Sequence, residues 1–436
     1  MNDENAQTHQ EYKETELGIL PETWRVIRFG DKGVFQYGYT TSATKTDTGT
    51  KFLRISDIRN DGSIDWNSVP YGDISADDLQ KFKLREGDLL FARIGATTGK
   101  TCIMRRKVPS SIFASYLIRF VPNEEVNPYY MFYFTQTRNY WKLVNAGKEG
   151  KLKKGLSASE LKGFLCPLPP IQEQGTIAHV LQVIQEAKEK TEEVIRAIKE
   201  LKKSMMKHLF TYGPVSSEEA ERVKLKETEI GMMPEDWGKE IVKSLVEKTG
   251  QIDPRKKPNQ RFRYVDVSGI NRETLRIQES QEIRGEDAPS RARKLMKKSD
   301  VIFATVRPTL KRLAFIHDEY DGQVCSTAFC VLRAKEKVLA SLYLFYALQR
   351  DTVIADLGKI QKGASYPAVT DSEVKNQYIP LPQIRTQQQI AEILSSIDAK
   401  IEAEESKRNA LEGLFKTLLH DLMTAKIRVN NLPLEA

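Results

Sequence analysis

Three groups of residues have types and spacings that suggest chemistry. Gly95-Ala96-Thr97-Thr98-Gly99-Lys100-Thr101 resembles a phosphate-cradling loop, yet it is one residue short of that pattern. No acidic magnesium-binding strand follows it. Asn127-Pro128-Tyr129-Tyr130 has the Asn-Pro-aromatic order that holds an extruded adenine, but lacks a second proline. The simpler expectation is a proline starting a helix whose aromatics face the core. The five histidines (His9, His179, His208, His317 and His420) are dispersed and show neither metal-ligand nor nucleophile spacing. No catalytic constellation and no metal site is expected.

A different chemistry is concentrated in cations with polar and aromatic neighbours, which suit phosphates and base edges. Towards the N-terminus these are Gln36, Tyr39, Thr41, Lys45, Lys51, Arg54, Arg93, Lys100, Lys151 and Lys153. Further on come Arg255, Lys256, Lys257, Gln260, Arg261, Arg263, Arg293, Arg307, Lys311, Lys362, Ser365 and Tyr366. Singly, each reads as a solvated surface residue. Together they make double-stranded DNA the expected partner.

The elements that must position them occur twice. Lys13-Glu14-Thr15-Glu16-Leu17-Gly18-Ile19-Leu20-Pro21-Glu22-Thr23-Trp24 recurs 213 residues later as Lys226-Glu227-Thr228-Glu229-Ile230-Gly231-Met232-Met233-Pro234-Glu235-Asp236-Trp237. Pro167-Leu168-Pro169 recurs at Pro380-Leu381-Pro382 with the same offset, and Asp88-Leu89-Leu90-Phe91-Ala92 parallels Asp300-Val301-Ile302-Phe303-Ala304. Short apolar runs such as Lys51 to Ile55 read as strands, and helical stretches are expected at 128–144 and 340–357. Each copy is therefore a small α/β or α+β domain.

Beyond each Pro-Leu-Pro the apolar rhythm changes to heptads. One seam runs Ile177, Val180, Ile184, Ala187, Thr191, Val194, Ile198, Leu201, Met205. The other runs Ile390, Ile393, Ile397, Ile401, Leu411, Leu414, Leu418, Leu422, weakened in the middle by Glu404 and Lys407. Helices of roughly 60 Å follow at 1.5 Å per residue. They are expected to pair antiparallel with approximate two-fold symmetry. The polar patch Glu404, Glu405, Lys407 and Arg408 reads as a solvated face or a docking point for partner helices. The expected layout is a first domain over 1–170, a helix over 171–212, a second domain over 213–383, a helix over 384–425 and a tail over 426–436.

Composition narrows the class. The 436 residues are 40% hydrophobic and 29% charged, with 67 basic against 59 acidic residues and a net charge of +8. No apolar run is long enough to span a bilayer, and the acidic start is not a secretory leader. Four scattered cysteines suggest reduced thiols in a cytoplasmic protein.

These motifs in this order, twice over, resemble the specificity (S) subunit of type I restriction–modification systems. The resemblance rests on the two Leu/Met-Pro-Glu-x-Trp starts, Asp88 to Lys100, Lys362-Gly363-Ala364-Ser365-Tyr366-Pro367, and Pro169-Pro170-Ile171-Gln172-Glu173-Gln174. It departs at Gly150 to Gly155, at Val306-Arg307-Pro308 and at Arg385-Thr386-Gln387, which leaves individual contacts open. The resemblance implies two target-recognition domains that read an asymmetric bipartite DNA site, separated by two long helices. It implies two modification subunits performing adenine-N6 methylation, and restriction subunits performing ATP-dependent cleavage. S-adenosylmethionine, ATP and Mg2+ would then sit on those partners, the chain itself carrying no cofactor and no catalysis, with self-association through the long helices as a further expectation. If the helices act as a ruler, shortening both by one heptad, ~10 Å, should shorten the gap between half-sites and preserve both. The competing expectation is a coiled-coil scaffold whose domains bind proteins, distinguished by the absence of steep salt-dependent DNA binding.

Overall fold

The computed structural model describes residues 11–59, 61–148 and 155–429. Mixed helix and strand content arises where the sequence patterns place it. The duplicated start forms a β-hairpin in each copy: Tyr12–Thr15 with Gly18–Pro21, and Leu225–Thr228 with Gly231–Pro234. Both turns depend on a left-handed glycine, Gly18 at φ 101 and Gly231 at φ 104.

The chain packs as two compact units. One comprises Met1–Glu192 with Ser406–Ala436, and the other comprises Glu193–Glu405. In the first, an antiparallel sheet runs in the order Gly33–Tyr37, Leu117–Pro122, Leu89–Ala92, Thr101–Ile103. A second sheet orders Ser111–Phe113, Lys51–Leu53, Tyr71–Gly72, Ala43–Thr44. In the second unit the matching antiparallel sheet is Leu313–Phe315, Val301–Ala304, Phe329–Leu332. Its companion sheet orders Gln281–Arg284, Arg261–Val265, Val324–Ser326, Ala292–Leu295. The central strands Leu89–Ala92 and Val301–Ala304 are buried throughout, as their unbroken apolar runs require.

The helical stretches each break once. Pro128–Phe134 is followed by Arg138–Lys148, and Ser341–Ala347 by Asp351–Ile360. In the first break the Thr135 and Thr137 hydroxyls donate to the Phe132 and Phe134 carbonyls, competing with the helix ladder. Tyr130 and Tyr343 are fully buried, and their hydroxyls donate to the Pro167 and Pro380 carbonyls.

The two long helices span Ile171–Tyr212 and Ile384–Met423. A glutamine fastens the start of each to its own unit. Gln174 Nε2 donates to the carbonyls of Pro169 (2.8 Å) and Glu125 (3.0 Å), and its Oε1 accepts from the Asn127 amide. Gln387 repeats the pattern with Pro382 (2.9 Å), Val338 (3.1 Å) and the Ala340 amide. Three backbone groups, one in a buried and two in part-buried hydrogen bonds, depend on each side chain. Gln387→Leu is therefore expected to cost the second unit about 2–4 kcal/mol in chemical denaturation, since each orphaned group costs roughly 1–3 kcal/mol.

Both helices contribute to both cores. Ile177, Leu181, Leu419 and Leu422 pack with Trp24, Phe29 and Tyr130 in the first unit. Leu209, Phe210, Ile390 and Leu394 pack with Trp237, Phe303 and Tyr343 in the second. Within each unit the segments are antiparallel. Lys188 pairs with Glu412 in one, while Lys199 with Glu405 and Lys202 with Asp398 pair in the other.

The seam differs in phase from the apolar heptads. Its first-helix members are Ile177, Leu181, Ile184, Lys188, Thr191, Ile195, Ile198, Lys202, Met205 and Leu209, all buried or half-buried. The expected Val194 and Leu201 are exposed, at 41% and 51%. On the second helix Leu414 is exposed, while Phe415 is half-buried against the first core and Leu419 buried in it. The lysines explain the shift. Their stems lie along the seam while their ammonium groups reach Glu412 and Asp398 and sit over the rings of Phe415 and Tyr346. Glu405 thus belongs to the seam rather than to a solvated face.

Candidate nucleic-acid interface

The tempting catalytic motifs are consumed structurally. Asn127 Oδ1 accepts from the Tyr129 and Tyr130 amides, capping the helix that Pro128 begins. Lys100 Nζ donates to the Ile58 carbonyl inside the fold, and burial holds its pKa below the usual lysine value. All four cysteines are buried and unpaired, with thiols pushed up by desolvation, Cys330 to about 12. No cluster of metal-ligating side chains occurs among the described residues.

The cations fall into three groups. Lys151 and Lys153 lie outside the described residues. Several others are spent on the fold. Arg54 holds Asp57 through two hydrogen bonds, Lys51 donates to the Val69 carbonyl over the Tyr71 ring, and Arg255 grips the Ala288 carbonyl. Arg293 pairs with Asp253, Arg261 with Glu282, and Gln36 is bound to Arg119. Tyr39 packs against Phe82, and Thr41 is half-buried beside Gly72. Arg263 is an exposed residue whose guanidinium lies over the Tyr320 ring.

The third group is exposed or half-buried. Lys45, Lys256, Lys257 and Gln260 point to solvent without a side-chain ion pair or hydrogen bond among the described residues. The remainder, half-buried at Arg93 and Lys311 and exposed at Arg307, Lys362, Ser365 and Tyr366, assemble where the central strand of each unit ends. In the second unit Arg307 lies over the Tyr366 ring, 5.2 Å from its centroid, and donates from Nη2 to the Ser365 carbonyl at 3.2 Å. The bridges Val306–Ala368 and Lys362–Ala368 bring in Lys362, and Lys311 reaches Asp351 at 2.7 Å. Tyr366 is 73% exposed, so its outer face is open to a planar ligand.

In the first unit Arg93 lies over the Tyr37 ring at 4.8 Å, just beyond the strand Leu89–Ala92. The Tyr37 hydroxyl accepts from the Ala158 amide, and Lys148 donates to the Thr98 carbonyl of the adjoining loop. One frame supports both sites: Leu156 N bonds to Arg93 O, as Val369 N bonds to Thr305 O. An arginine–tyrosine stack at one strand end, ringed by lysines, presents guanidinium donors and an aromatic face to a polyanion. Lys297 and Lys298 precede the strand Val301–Ala304, at its other end, where they line a separate recess of about 620 Å³.

Sequence reasoning missed Arg428 and the seam lysines. Arg428 forms a bidentate pair with Glu173 and stacks on Trp24. Its only sequence signal was a basic residue in the tail. Lys188 and Lys202 were readable as cations in phase with Ile184, Ile195 and Ile198.

Comparison with known proteins identifies the family and the fold. A family described as the type I restriction modification DNA specificity domain matches residues 21–200 and 234–413. A Methanocaldococcus jannaschii protein assigned as the MjaX type I restriction enzyme specificity subunit is 29% identical, over 96% of this chain and 97% of its own. The MjaVIII specificity subunit of the same organism is 25% identical, over 97% of each chain. The solved S subunit of a type I restriction–modification system from M. genitalium shares the fold, with a TM-score of 0.61 at 13% identity. It covers 92% of this chain and 96% of that one. No helix among the described residues is long and apolar enough to cross a membrane.

Proposed function

The chain belongs to the type I restriction modification DNA specificity family, and from that premise we propose that it reads an asymmetric bipartite site on double-stranded DNA, one half with each unit. The observation that carries this is the paired arginine–tyrosine stack, built at the same strand end in both units from different residues. The arginine is the first residue after the strand in one unit and the third in the other, so like groups are presented from unlike places within unlike loops, and the two half-sites differ. Exposed lysines hold the phosphates and set register, while guanidinium and tyrosyl groups meet base edges.

The chain selects and its partners act. Two modification subunits supply adenine-N6 methyl transfer with S-adenosylmethionine, and restriction subunits supply ATP- and Mg2+-dependent cleavage, all in the cytoplasm. The side chains that resemble catalytic motifs here are engaged as caps and core ties, which supports a non-catalytic role. Val194 and Leu201, seven residues apart on the first long helix, are exposed apolar side chains on one face of it, which supports docking of the modification subunits there. The double variant Val194→Glu, Leu201→Glu should fold normally yet lose co-purification with the modification subunit. Unaltered co-purification would remove that face from the assembly.

The deciding experiment is a methylation map of the source cell with and without the gene. Loss of one bipartite adenine-methylated motif on deletion is expected. An unchanged map would overturn the reading.

A further inference from the structure

The loop after the central strand has one backbone shape in both units but opposite residue types. Counting from the strand's last residue, Ala92 or Ala304, the third and seventh positions are left-handed in each. In the first unit they are Gly95 (φ 81) and Gly99 (φ 94). In the second they are Arg307 (φ 50, ψ 58) and Lys311 (φ 51, ψ 40), flanking the 3-10 turn Pro308–Leu310. Equivalent hydrogen bonds close both loops: Thr98 N to Gly95 O and Ala92 N to Lys100 O, against Leu310 N to Arg307 O and Ala304 N to Arg312 O.

A Cβ makes this conformation unfavourable, and glycine is its natural occupant. The second unit carries that strain at two cations. Non-glycine residues in left-handed geometry persist where the surroundings over-determine them, and they cluster at ligand clamps. Position 95 shows where such a side chain goes: a Cβ built there meets nothing within 4 Å. At the equivalent place Arg307 is exposed, fixed by the hydrogen bond its backbone N–H donates to the Pro367 carbonyl and by its stack on Tyr366. One of its five N–H donors is used, on the Ser365 carbonyl. The guanidinium is thus oriented before any ligand arrives, with donors to spare.

We infer that Arg307 is a base-reading side chain of the second unit, its fork meeting the O6 and N7 acceptors of a guanine in the major groove, and that its left-handed backbone is strain retained for that contact. This rests on the DNA-reading function proposed above. Lys311, whose ammonium is held by Asp351, supports the loop and reads no base. The first unit has glycine at this position and carries its arginine two residues earlier, at Arg93, so its half-site is met from a different place.

The test is selection of a randomised duplex pool by the full-length chain, alongside thermal unfolding, for the unaltered protein, Arg307→Gly, Arg307→Lys and Lys311→Gly. Arg307→Gly should lose about 10-fold or more of preference for guanine at one position of one half-site. Its unfolding midpoint should not fall, and should rise by about 1–2 °C as the strain is relieved. Arg307→Lys should keep the salt dependence but not the guanine preference, since an ammonium cannot form the bidentate contact. Lys311→Gly should leave the selected sequence unchanged. The assignment is overturned if Arg307→Gly selects the same sequence with the same preference, or if its midpoint drops. Absence of any selection by the unaltered chain would instead overturn DNA reading as a whole.

Discussion

Arg428→Ala is expected to destabilise the first unit by about 3–5 kcal/mol, the usual cost of removing one partner from a buried ion pair. Glu173 is 2% exposed at the side chain and Arg428 11%. Arg428 Nε and Nη2 donate to the two carboxylate oxygens at 2.6 and 2.9 Å, and Trp24 Nε1 donates to Oε2 at 3.0 Å. Without the guanidinium, a carboxylate remains buried with one indole donor. The effect should be local, because the residue matching Glu173 in the second copy is Thr386. Hydrogen exchange should therefore quicken at amides of the first unit's core while those of 193–405 keep their protection. The double variant Arg428→Ala, Glu173→Leu should recover much of the loss, since the uncompensated charge is then gone. Equal loss in single and double variants would show that packing on Trp24, not charge, holds the tail.

The second large effect concerns DNA affinity. Replacing Lys45, Lys256 and Lys257 together by alanine should flatten the dependence of log K on log salt by about 2.7, if each neutralises one phosphate with a slope of about 0.9 per contact. At 0.1 M salt, duplex binding should weaken by roughly 10²–10³-fold. Stability should be unaffected, because all three side chains are exposed. The sequence preferred should not change, since phosphate contacts position the protein without reading bases. An unchanged slope would place these lysines away from the DNA path. Changed sequence preference would make at least one of them a reader.

Legibility of the site followed from how local each signal was. Lys362, Ser365 and Tyr366 were identifiable as one contiguous motif and Arg307 as a cation in a separate one. The stack between Arg307 and Tyr366 was not, since 58 residues separate the partners and the bridges at Ala368 bring them together. Arg54, Arg255 and Arg293 have the same residue type as Arg307, yet the fold spends them on Asp57, the Ala288 carbonyl and Asp253. Residue type alone does not distinguish an occupied cation from a presented one.

The sequence by itself determined the duplication, the apolar central strands and the extent of the long helices. Each of these depends on repeats, hydrophobic period or turn residues close together in the chain. Tertiary structure decided the phase of the helical seam, the sharing of both helices between both units, and the docking of Arg428 onto Glu173. An apolar period cannot register a lysine whose stem is buried and whose charge is met by Glu412 or Asp398. Such positions are settled by long-range pairing and burial, where electrostatic partners, not hydrophobicity, make one face of the helix the inner one.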